Sequence, residues 1–257
     1  MRYIRLLRNV TNWWLHFGIK FGLNHKDPVT FRLRKGVVLE IPRRLLHEFK
    51  EIFMEECYTS GLALKVGEQP TVIDIGASVG LFSFFAASRF EDPRIISFEP
   101  VPANFHQLQR NSRLNRRVKI KCFRKAVYGH RGEIPLSIEA DTSYTTAARV
   151  GRAENGRCHT INVPSLTLAD IFEENDLQRC NMLKMDCEGS EYEILYNCPA
   201  HYLQSVDQMA IEVHRGADPR HDIQSLEAHL RNSGFVCRQN RRNRNMLYAW
   251  RRQLQGT

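Results

Sequence analysis

The sequence of 257 residues lacks the features that mark membrane-spanning, secreted and repetitive chains. It has no uninterrupted run of about 18 apolar residues, so no transmembrane helix is predicted. Its first segment has neither a secretory apolar core nor a small-residue cleavage site, so no signal peptide is predicted. No internal repeat, low-complexity tract or Pro/Gly/Ser-rich linker divides the chain. One large α/β domain with N-terminal decoration therefore accounts for the length.

Disulfide and metal-binding patterns are also missing. The seven cysteines form no C-x-x-C pair and stand at no metal-ligand spacing with histidines. Their odd number argues against a complete disulfide framework, and scattered reduced thiols are typical of a reducing compartment. The sequence therefore predicts a cytoplasmic protein without a metal site.

Positive charge is in excess, with a net charge of +9 and an isoelectric point near 9.3. This balance favours nucleic acid, a lipid headgroup surface or a phosphorylated substrate as partner, although a solvated basic face is the plain alternative. In the first 24 residues, apolar Ile4, Leu7, Trp14 and Phe17 accompany basic residues and predict an amphipathic helix. This helix would either lie on an anionic membrane surface or pack on the domain as a brace.

Strand and helix patterns alternate from residue 71 onward. Apolar, β-branched runs at 71–76, 94–100, 118–123, 181–186 and 208–214 read as strands, most of them separated by helical patterns. The alternation predicts an α/β fold with a mostly parallel, doubly wound sheet. An antiparallel C-terminal hairpin is predicted to form its edge.

The chain is predicted to divide into a small N-terminal part and a main domain. Residues 1–66 are expected to form a helix and a cap with two short strands around Lys35-Gly36, and residues 67–257 the α/β domain. Within the domain, 126–139 are predicted as a hairpin and 140–159 as a polar insertion.

A glycine-rich turn, G-A-S-V-G, follows the first strand of the domain and precedes a helix. Gly76 leaves the strand in a conformation that is costly for a side chain, Gly80 permits close approach, and the N–H groups from Ala77 onward favour a polar ligand. Glu99 ends the next strand, where a carboxylate accepts both hydroxyls of a ribose. Asp74 would repel a pyrophosphate but suits an ammonium group. These five residues predict a site for S-adenosylmethionine, although Asp74 would alternatively serve only as a cap on the turn.

Three motifs together resemble the FkbM family of methyltransferases. They are D-x-G-A-x-x-G at 74–80, F-E-P at 98–100 and LKMDCEGSEYEIL at 183–195, of which the last follows the family pattern K-x-D-x-E-G-x-E. The likeness covers roughly residues 50–250. It implies a Rossmann-like class I methyltransferase fold, S-adenosylmethionine as cofactor, and O-methylation of a hydroxyl on a sugar, glycolipid or polyketide-like acceptor.

Charged side chains mark the carboxyl ends of two later strands. Asp186 ends one strand, Glu188 follows it, and Lys184 shares a face with Asp186 because side chains repeat every second residue. His214 lies at the end of the neighbouring strand and has an ordinary pKa suited to base catalysis. Methyl transfer to a hydroxyl needs alignment and a base or metal. We predict His214 as the base, with Asp186 or Glu188 orienting it or the acceptor and Lys184 beside them.

Structural roles for the same residues stay open. Lys184 would pair with a carboxylate at the sheet end, His214 would be a satisfied histidine at the rim, and Glu191 would only complement the dipole of its helix. The cluster would also suit a divalent ion through oxygen ligands, although no spacing demands one.

Two other functions remain as alternatives. The net charge suggests an RNA methyltransferase, but Asp186-Cys187-Glu188-Gly189 stands where base methylation often uses an Asn/Asp-Pro-Pro-aromatic turn. The basic runs also lack the interleaved aromatic residues of a stacking surface, so no nucleic-acid partner is predicted. A non-catalytic membrane-surface protein with a nucleotide-binding fold is the other alternative, and the presence of Asp74, Glu99 and the rim cluster argues against it.

Overall fold

The computed structural model describes residues 2–62, 67–139, 144–145, 148–151, 158–216, 218–241 and 243–252. Within these ranges the helices are α1 (Arg2–Asn9), α2 (Trp14–Lys20), α3 (Leu46–Lys50), α4 (Leu81–Arg89), α5 (Pro102–Leu114), α6 (Leu168–Glu174), α7 (Glu191–Tyr196), α8 (Ala200–Gln204) and α9 (Ile223–Asn232). The strands are β1 (Val29–Arg32), β2 (Val38–Ile41), β3 (Thr71–Ile75), β4 (Arg94–Phe98), β5 (Lys119–Phe123), β6 (Ala126–Val127), β7 (Gly132–Glu139), β8 (Arg149–Val150), β9 (Cys158–Leu166), β10 (Met182–Met185), β11 (Gln208–Glu212), β12 (Phe235–Gln239) and β13 (Met246–Arg251).

A seven-stranded sheet forms the centre of the fold, in the order β12-β13-β11-β10-β3-β4-β5. Neighbouring strands from β11 to β5 are parallel, which confirms the predicted doubly wound α/β sheet. The predicted antiparallel C-terminal hairpin, β12 and β13, is confirmed at the edge of the sheet. β13 is antiparallel to both β11 and β12, so the antiparallel strand lies one place inside the edge and β12 runs with the main sheet.

The direction of winding reverses at β3. One connection leads through α4 to β4 on one side of β3, whereas β10 lies on its other side. Ile75, Phe98 and Met185 are paired in register at the carboxyl ends of these three strands. Ligands of such sheets bind beyond the carboxyl ends at the switch point, so this edge is where a site is expected.

A second sheet of four strands, in the order β6-β9-β7-β8, was not predicted. The expected hairpin at 126–139 is wrong, because β6 and β7 do not pair with each other and instead flank β9 on either side. The sheet covers a small apolar core of its own that includes Ile134, Leu136 and Val163. Of the predicted insertion at 140–159, residues 140–143, 146–147 and 152–157 lie outside the described residues.

The N-terminal part contains the predicted hairpin, β1 and β2, around Lys35-Gly36. The single amphipathic helix expected in the first 24 residues is instead two helices, α1 and α2. The chain leaves the helical path after Asn9, where Val10 forms a β-bridge with Leu33 and the Thr11 backbone donates to the Arg32 carbonyl (2.7 Å). In the cap, α3 is followed by one π-helical turn, Glu51–Glu55.

Aromatic stacking joins the N-terminal part to the main sheet. Phe31 of β1 stacks on Phe49 of α3 with ring centres 4.1 Å apart, and Phe53 packs edge-on against Phe85 of α4 at 5.5 Å. The cap therefore shares one apolar core with a face of the sheet. The predicted boundary follows residue 66, and residues 63–66, directly before it, are outside the described residues.

All seven cysteines are free thiols. Within the ranges that the structure describes, no helix combines the length and the apolar character needed to cross a bilayer.

We expect Gly76→Ala to destabilise the fold much more than Gly36→Ala. Both glycines have a left-handed backbone, with φ of +72° and +73°. A Cβ at Gly36 meets nothing within 4 Å, so its replacement costs only the conformational strain of about 1–2 kcal/mol. A Cβ at Gly76 would overlap the carbonyl of Asp186, which adds an overpacking cost of ~1–3 kcal/mol. Urea unfolding of the two variants measures the difference. Equal losses in the free energy of unfolding would contradict the close approach of Gly76 to the Asp186 carbonyl.

Candidate active site

A cavity of about 430 Å³ lies at the carboxyl edge of the central sheet. Its wall comes from five parts of the chain: the glycine turn after β3, the end of β4 with the start of α5, the ends of β10 and β11, the cap segment around α3, and the second sheet with the residues next to it. Six carboxylate side chains line it, against the cationic side chains of Arg44, Lys125 and Lys184 together with two histidines. The carboxylates are those of Glu48, Glu51, Glu99, Asp186, Glu188 and Glu212.

The glycine turn is fixed to the neighbouring strand. The backbone N–H groups of Gly76 and Ala77 both donate to the Phe98 carbonyl, at 3.1 and 2.9 Å, and both residues line the cavity. Gly80 lies behind the turn, where a Cβ would meet Leu108 at 2.7 Å and Phe84 at 2.8 Å. Gly76 and Ala77 therefore face the cavity, whereas Gly80 permits the packing of α4.

Glu99 is buried and also faces the cavity. Its two carboxylate oxygens accept hydrogen bonds from the backbone of Ser78 (2.8 Å) and Val101 (2.9 Å). Burial raises the pKa of Glu99 to about 7, against the opposing effect of these bonds. Ser78 Oγ and Asn104 Oδ1 lie in the same wall and are buried without a hydrogen-bond partner in the described structure. Buried polar atoms are rarely left unpaired, so they indicate a polar ligand.

Asp74 and Lys184 form a buried ion pair beneath the turn. Asp74 Oδ1 lies 3.2 Å from Lys184 Nζ, and Asp74 Oδ2 accepts a hydrogen bond from Ser83 (2.6 Å). Lys184 Nζ also donates to the Gly76 carbonyl (2.6 Å). Burial lowers the pKa of Lys184, but the negative charges of Asp74 and Asp186 act in the opposite direction and together outweigh it. The pKa of Lys184 therefore lies well above its usual value. The lysine is thus a fixed cation, and the Asp74 side chain is fully buried and does not line the cavity.

His214 is oriented by Glu191 rather than by Asp186 or Glu188. Glu191 is fully buried, and its Oε1 lies 3.0 Å from His214 Nδ1 while also accepting from the Cys187 backbone (3.1 Å). Asp186 and Glu188 face the other ring nitrogen, Nε2, at 3.9 and 3.8 Å. The expectation that Glu191 only complements its helix dipole is therefore wrong, because its side chain turns back to the histidine.

The charges around His214 set its protonation. Burial lowers the pKa of His214, but the hydrogen bond and charge of Glu191, followed by the charges of Glu188 and Asp186, raise it to about 9. At neutral pH the ring is therefore an imidazolium in the ligand-free protein. As a cation it holds together the three carboxylates that surround it.

Tyr58, from the cap, joins the ends of β10 and β11. Its hydroxyl donates to Asp186 Oδ2 at 2.7 Å and lies 3.2 Å from Glu212 Oε2, and its ring lies 5.3 Å from Lys184 Nζ. No sequence pattern indicates this role of Tyr58, because Tyr58 stands in no motif and 128 residues before Asp186.

Two further carboxylates of the cap, Glu48 and Glu51, complete the acidic wall. Burial, and then the charge of Asp186, raise the pKa of Glu48 to about 8. Burial also raises the pKa values of Glu51 and Glu188. Within the described ranges, no three His, Cys, Asp or Glu side chains converge in a way that would hold a metal ion. The wall is thus a set of acidic groups that a cationic or hydroxyl-bearing ligand would stabilise.

A parallel sheet with one antiparallel strand next to its edge, a glycine turn after the first strand and a buried acid after the second define a class I S-adenosylmethionine-dependent methyltransferase. Comparison with known proteins agrees. Residues 74–247 match the methyltransferase FkbM domain, and the chain belongs to this family.

Several characterised relatives share most of the chain. It is 26% identical to methyltransferase sdnD of Sordaria araneosa and 26% identical to the 31-O-demethyl-FK506 methyltransferase FkbM of Streptomyces tacrolimicus, in each case over 73% of this chain and 80% of the relative. It is 24% identical to the hexuronic acid methyltransferase AglP of Haloferax volcanii, over 70% of this chain and 71% of that protein. A solved structure, the methyltransferase FkbM of Methylobacillus flagellatus, aligns with 74% of this chain and 46% of its own at 19% identity and a TM-score of 0.48.

We expect Glu191→Gln to lower the pKa of His214 from about 9 to about 8 or less, because it removes an ionic hydrogen bond to the charged ring. NMR titration of the His214 ring measures this value. Glu193→Gln is the matched control, because it removes a carboxylate of the same helix outside the cavity. The arrangement would be refuted if both variants left the titration of His214 unchanged.

The same titration predicts a pH dependence of stability. Folding raises the pKa of His214 from 6.5 to about 9, so the folded state binds the proton more tightly than the unfolded state. The resulting stabilisation is complete below pH 6.5 and is lost as the pH rises through about 9. The free energy of unfolding, measured with urea, should therefore fall less between pH 6.5 and about 9 in Glu191→Gln than in the wild type.

Proposed function

We propose that this methyltransferase methylates a hydroxyl group of a neutral, hydroxyl-rich acceptor such as a sugar, a glycolipid or a polyketide-like molecule. The observation that carries the proposal is the acidic wall around His214, formed by the ends of β10 and β11 and by the cap. Carboxylates accept hydrogen bonds from hydroxyl groups but repel anions. For this reason the cavity favours a neutral acceptor, and it argues against the phosphate backbone of an RNA.

We infer that the cofactor lies against the glycine turn, where the available groups match it. Glu99 would accept hydrogen bonds from the ribose hydroxyls, and the unpaired Ser78 Oγ and Asn104 Oδ1 would bind its polar groups. The acidic wall suits its ammonium and sulfonium charges. Asp74 acts indirectly, because its carboxylate and Lys184 fix the turn from beneath. When bound, S-adenosylmethionine supplies a methyl group on a positively charged sulfur.

His214 is proposed as the group that accepts the hydroxyl proton. In the ligand-free protein its pKa of about 9 keeps it protonated at neutral pH. The positive charge of a cofactor in the same cavity would disfavour the imidazolium. His214 would therefore give up its proton more readily when the cofactor is bound. When the ligand in the cavity carries no positive charge, the His214 ring would again favour the proton that it has received. Asp186, held by Tyr58, is proposed to position the acceptor hydroxyl beside His214.

We expect turnover and cofactor affinity to be lost at different positions. His214→Ala and Asp186→Asn should reduce turnover at least ~100-fold, the usual contribution of a general base, and His214→Ala should not weaken S-adenosylmethionine binding, because it removes a positive charge from the cavity. Glu99→Gln should weaken binding about tenfold or more, because buried hydrogen bonds to a charged group are lost. Calorimetry with the cofactor and a turnover assay on hydroxylated sugars, glycolipids and polyketides, run with and without chelator, measure the two effects.

The outcomes of this assay distinguish the acceptor classes. Full activity of His214→Ala on a true acceptor would refute its role as the base. Methylation of RNA, with an affinity that falls as salt rises, would overturn the proposed acceptor class. Loss of activity on chelation would show that a metal is required.

We also expect the charge of the cofactor to control His214. S-adenosylmethionine should lower the pKa of His214 more than S-adenosylhomocysteine does, because the two ligands differ by one methyl group and one positive charge. NMR titration of the ring with each ligand measures this difference. Equal effects of the two ligands would contradict the proposed coupling, and binding of neither would contradict the cofactor site.

A further inference from the structure

Exposed hydrophobic side chains are concentrated at the N-terminus. In the described part of the chain, eight large hydrophobic side chains are exposed, and seven of them lie within residues 3–23. They are Tyr3, Ile4, Leu7, Trp13, Trp14, Phe21 and Leu23, and we call them the N-terminal patch. The eighth, Leu114, lies at the end of α5. Scattered exposed apolar residues are normal on a protein surface, but a concentration of this kind marks an interaction site.

Ring contacts make part of the patch continuous across α1 and α2. Tyr3 stacks on Phe17 with ring centres 5.6 Å apart, and Trp13 packs edge-on against Phe17 at 6.1 Å and against Trp14 at 6.0 Å. Phe21 directly follows the last residue of α2 and is also exposed.

The opposite face of the same segment is firmly attached to the protein. Leu6 and Val10 are fully buried, and Asn9 donates to the Phe53 carbonyl. Arg8 pairs with Glu56, and Arg34 donates to the carbonyl groups of Leu7 and Arg8, each at 2.8 Å. The helices therefore act as a brace on one side while they present the N-terminal patch on the other.

The surroundings of the patch are basic. Residues 2–26 contain five Lys and Arg residues and no Asp or Glu. Arg2, Lys20 and Lys26 are exposed, and none has a carboxylate partner within ion-pair distance among the described residues. Arg2 and Lys20 also lie close enough to His16 to contribute, after burial and Lys50, to lowering its pKa.

We propose that the N-terminal patch binds the surface of an anionic lipid bilayer. Tryptophan and phenylalanine side chains enter the boundary between headgroups and acyl chains, and neighbouring Lys and Arg side chains pair with anionic headgroups. Both components are present in this segment: apolar Trp14, Phe21 and Leu23 are exposed, Lys20 Nζ lies 5.8 Å from the centre of the Phe21 ring, and Lys26 is exposed close by in the sequence. Apolar contact alone would also suit a protein partner or a second copy of the chain. The exposed cations beside the patch have no carboxylate partner among the described residues, and they specifically favour anionic lipid.

Vesicle co-sedimentation of the full chain tests the proposal. Binding is expected to vesicles of phosphatidylcholine mixed with phosphatidylglycerol, to be weaker on phosphatidylcholine alone, and to weaken at high salt. Trp14→Ser/Phe21→Ser/Leu23→Ser should reduce the partition coefficient about tenfold or more. Lys20→Glu/Lys26→Glu should reduce it at least about fivefold for each cation removed.

Matched variants on another surface serve as controls. Leu114→Ser removes the exposed hydrophobic side chain outside the patch, and Arg113→Glu/Arg116→Glu reverses two exposed cations near it. Both controls should bind vesicles like the wild type, and thermal melting should show that every variant is folded.

Other occupants of the patch give different results. Absence of vesicle binding, together with a dimer in sedimentation equilibrium that the triple variant abolishes, would assign the patch to a second copy of the chain and overturn the proposal. Absence of both, or equal loss of binding in the controls and the patch variants, would also overturn it. These readouts need no turnover, so they do not depend on the proposed acceptor.

Discussion

The buried ion pair between Lys184 and Asp74 is the interaction on which the rest of the site depends. It links β10 to β3 where the winding of the sheet reverses, and Lys184 also binds the Gly76 carbonyl of the cofactor turn. Removing either partner would leave the other charge buried and uncompensated, which typically costs about 3–5 kcal/mol. Because the Tyr58 ring lies 5.3 Å from the same ammonium, the turn, the strand ends and the cap all meet at this lysine.

Around Lys184, more carboxylate side chains line the cavity than Lys and Arg side chains. Burial raises the pKa of Glu99 to about 7 and that of Glu48 to about 8, so the ligand-free cavity holds protons near neutral pH. A ligand with positive charge favours the ionised carboxylates and disfavours the imidazolium of His214. Binding of such a ligand is therefore coupled to the release of protons. The acidity that destabilises the empty cavity is the property that selects a cationic cofactor over a nucleotide with a pyrophosphate.

The sequence predicted what depends on local periodicity and failed where distant segments meet. Strand alternation placed Asp186 and His214 correctly at one edge of the sheet, because parallel strands end together. The role of Glu191 was missed because it depends on how the first turn of α7 folds back. The second sheet was missed because 126–139 were expected to pair as a hairpin of their own, whereas β6 and β7 both pair with β9, and β7 does so across a polar segment. Tyr58 was beyond reach, since only tertiary packing brings the cap to β10.

The cap lies outside the part of the chain that matches the family model. The family match begins at residue 74, so it includes Glu99, Asp186 and His214 but none of the cap side chains that line the cavity. The matched part defines the methyltransferase family, whereas the cavity also has a wall from the cap that the match does not include. That wall and the brace are one structure, because α1 packs on the turn that carries Glu51. Changes in this segment therefore affect the cavity wall and the N-terminal patch together, whereas the glycine turn after β3 lies outside it.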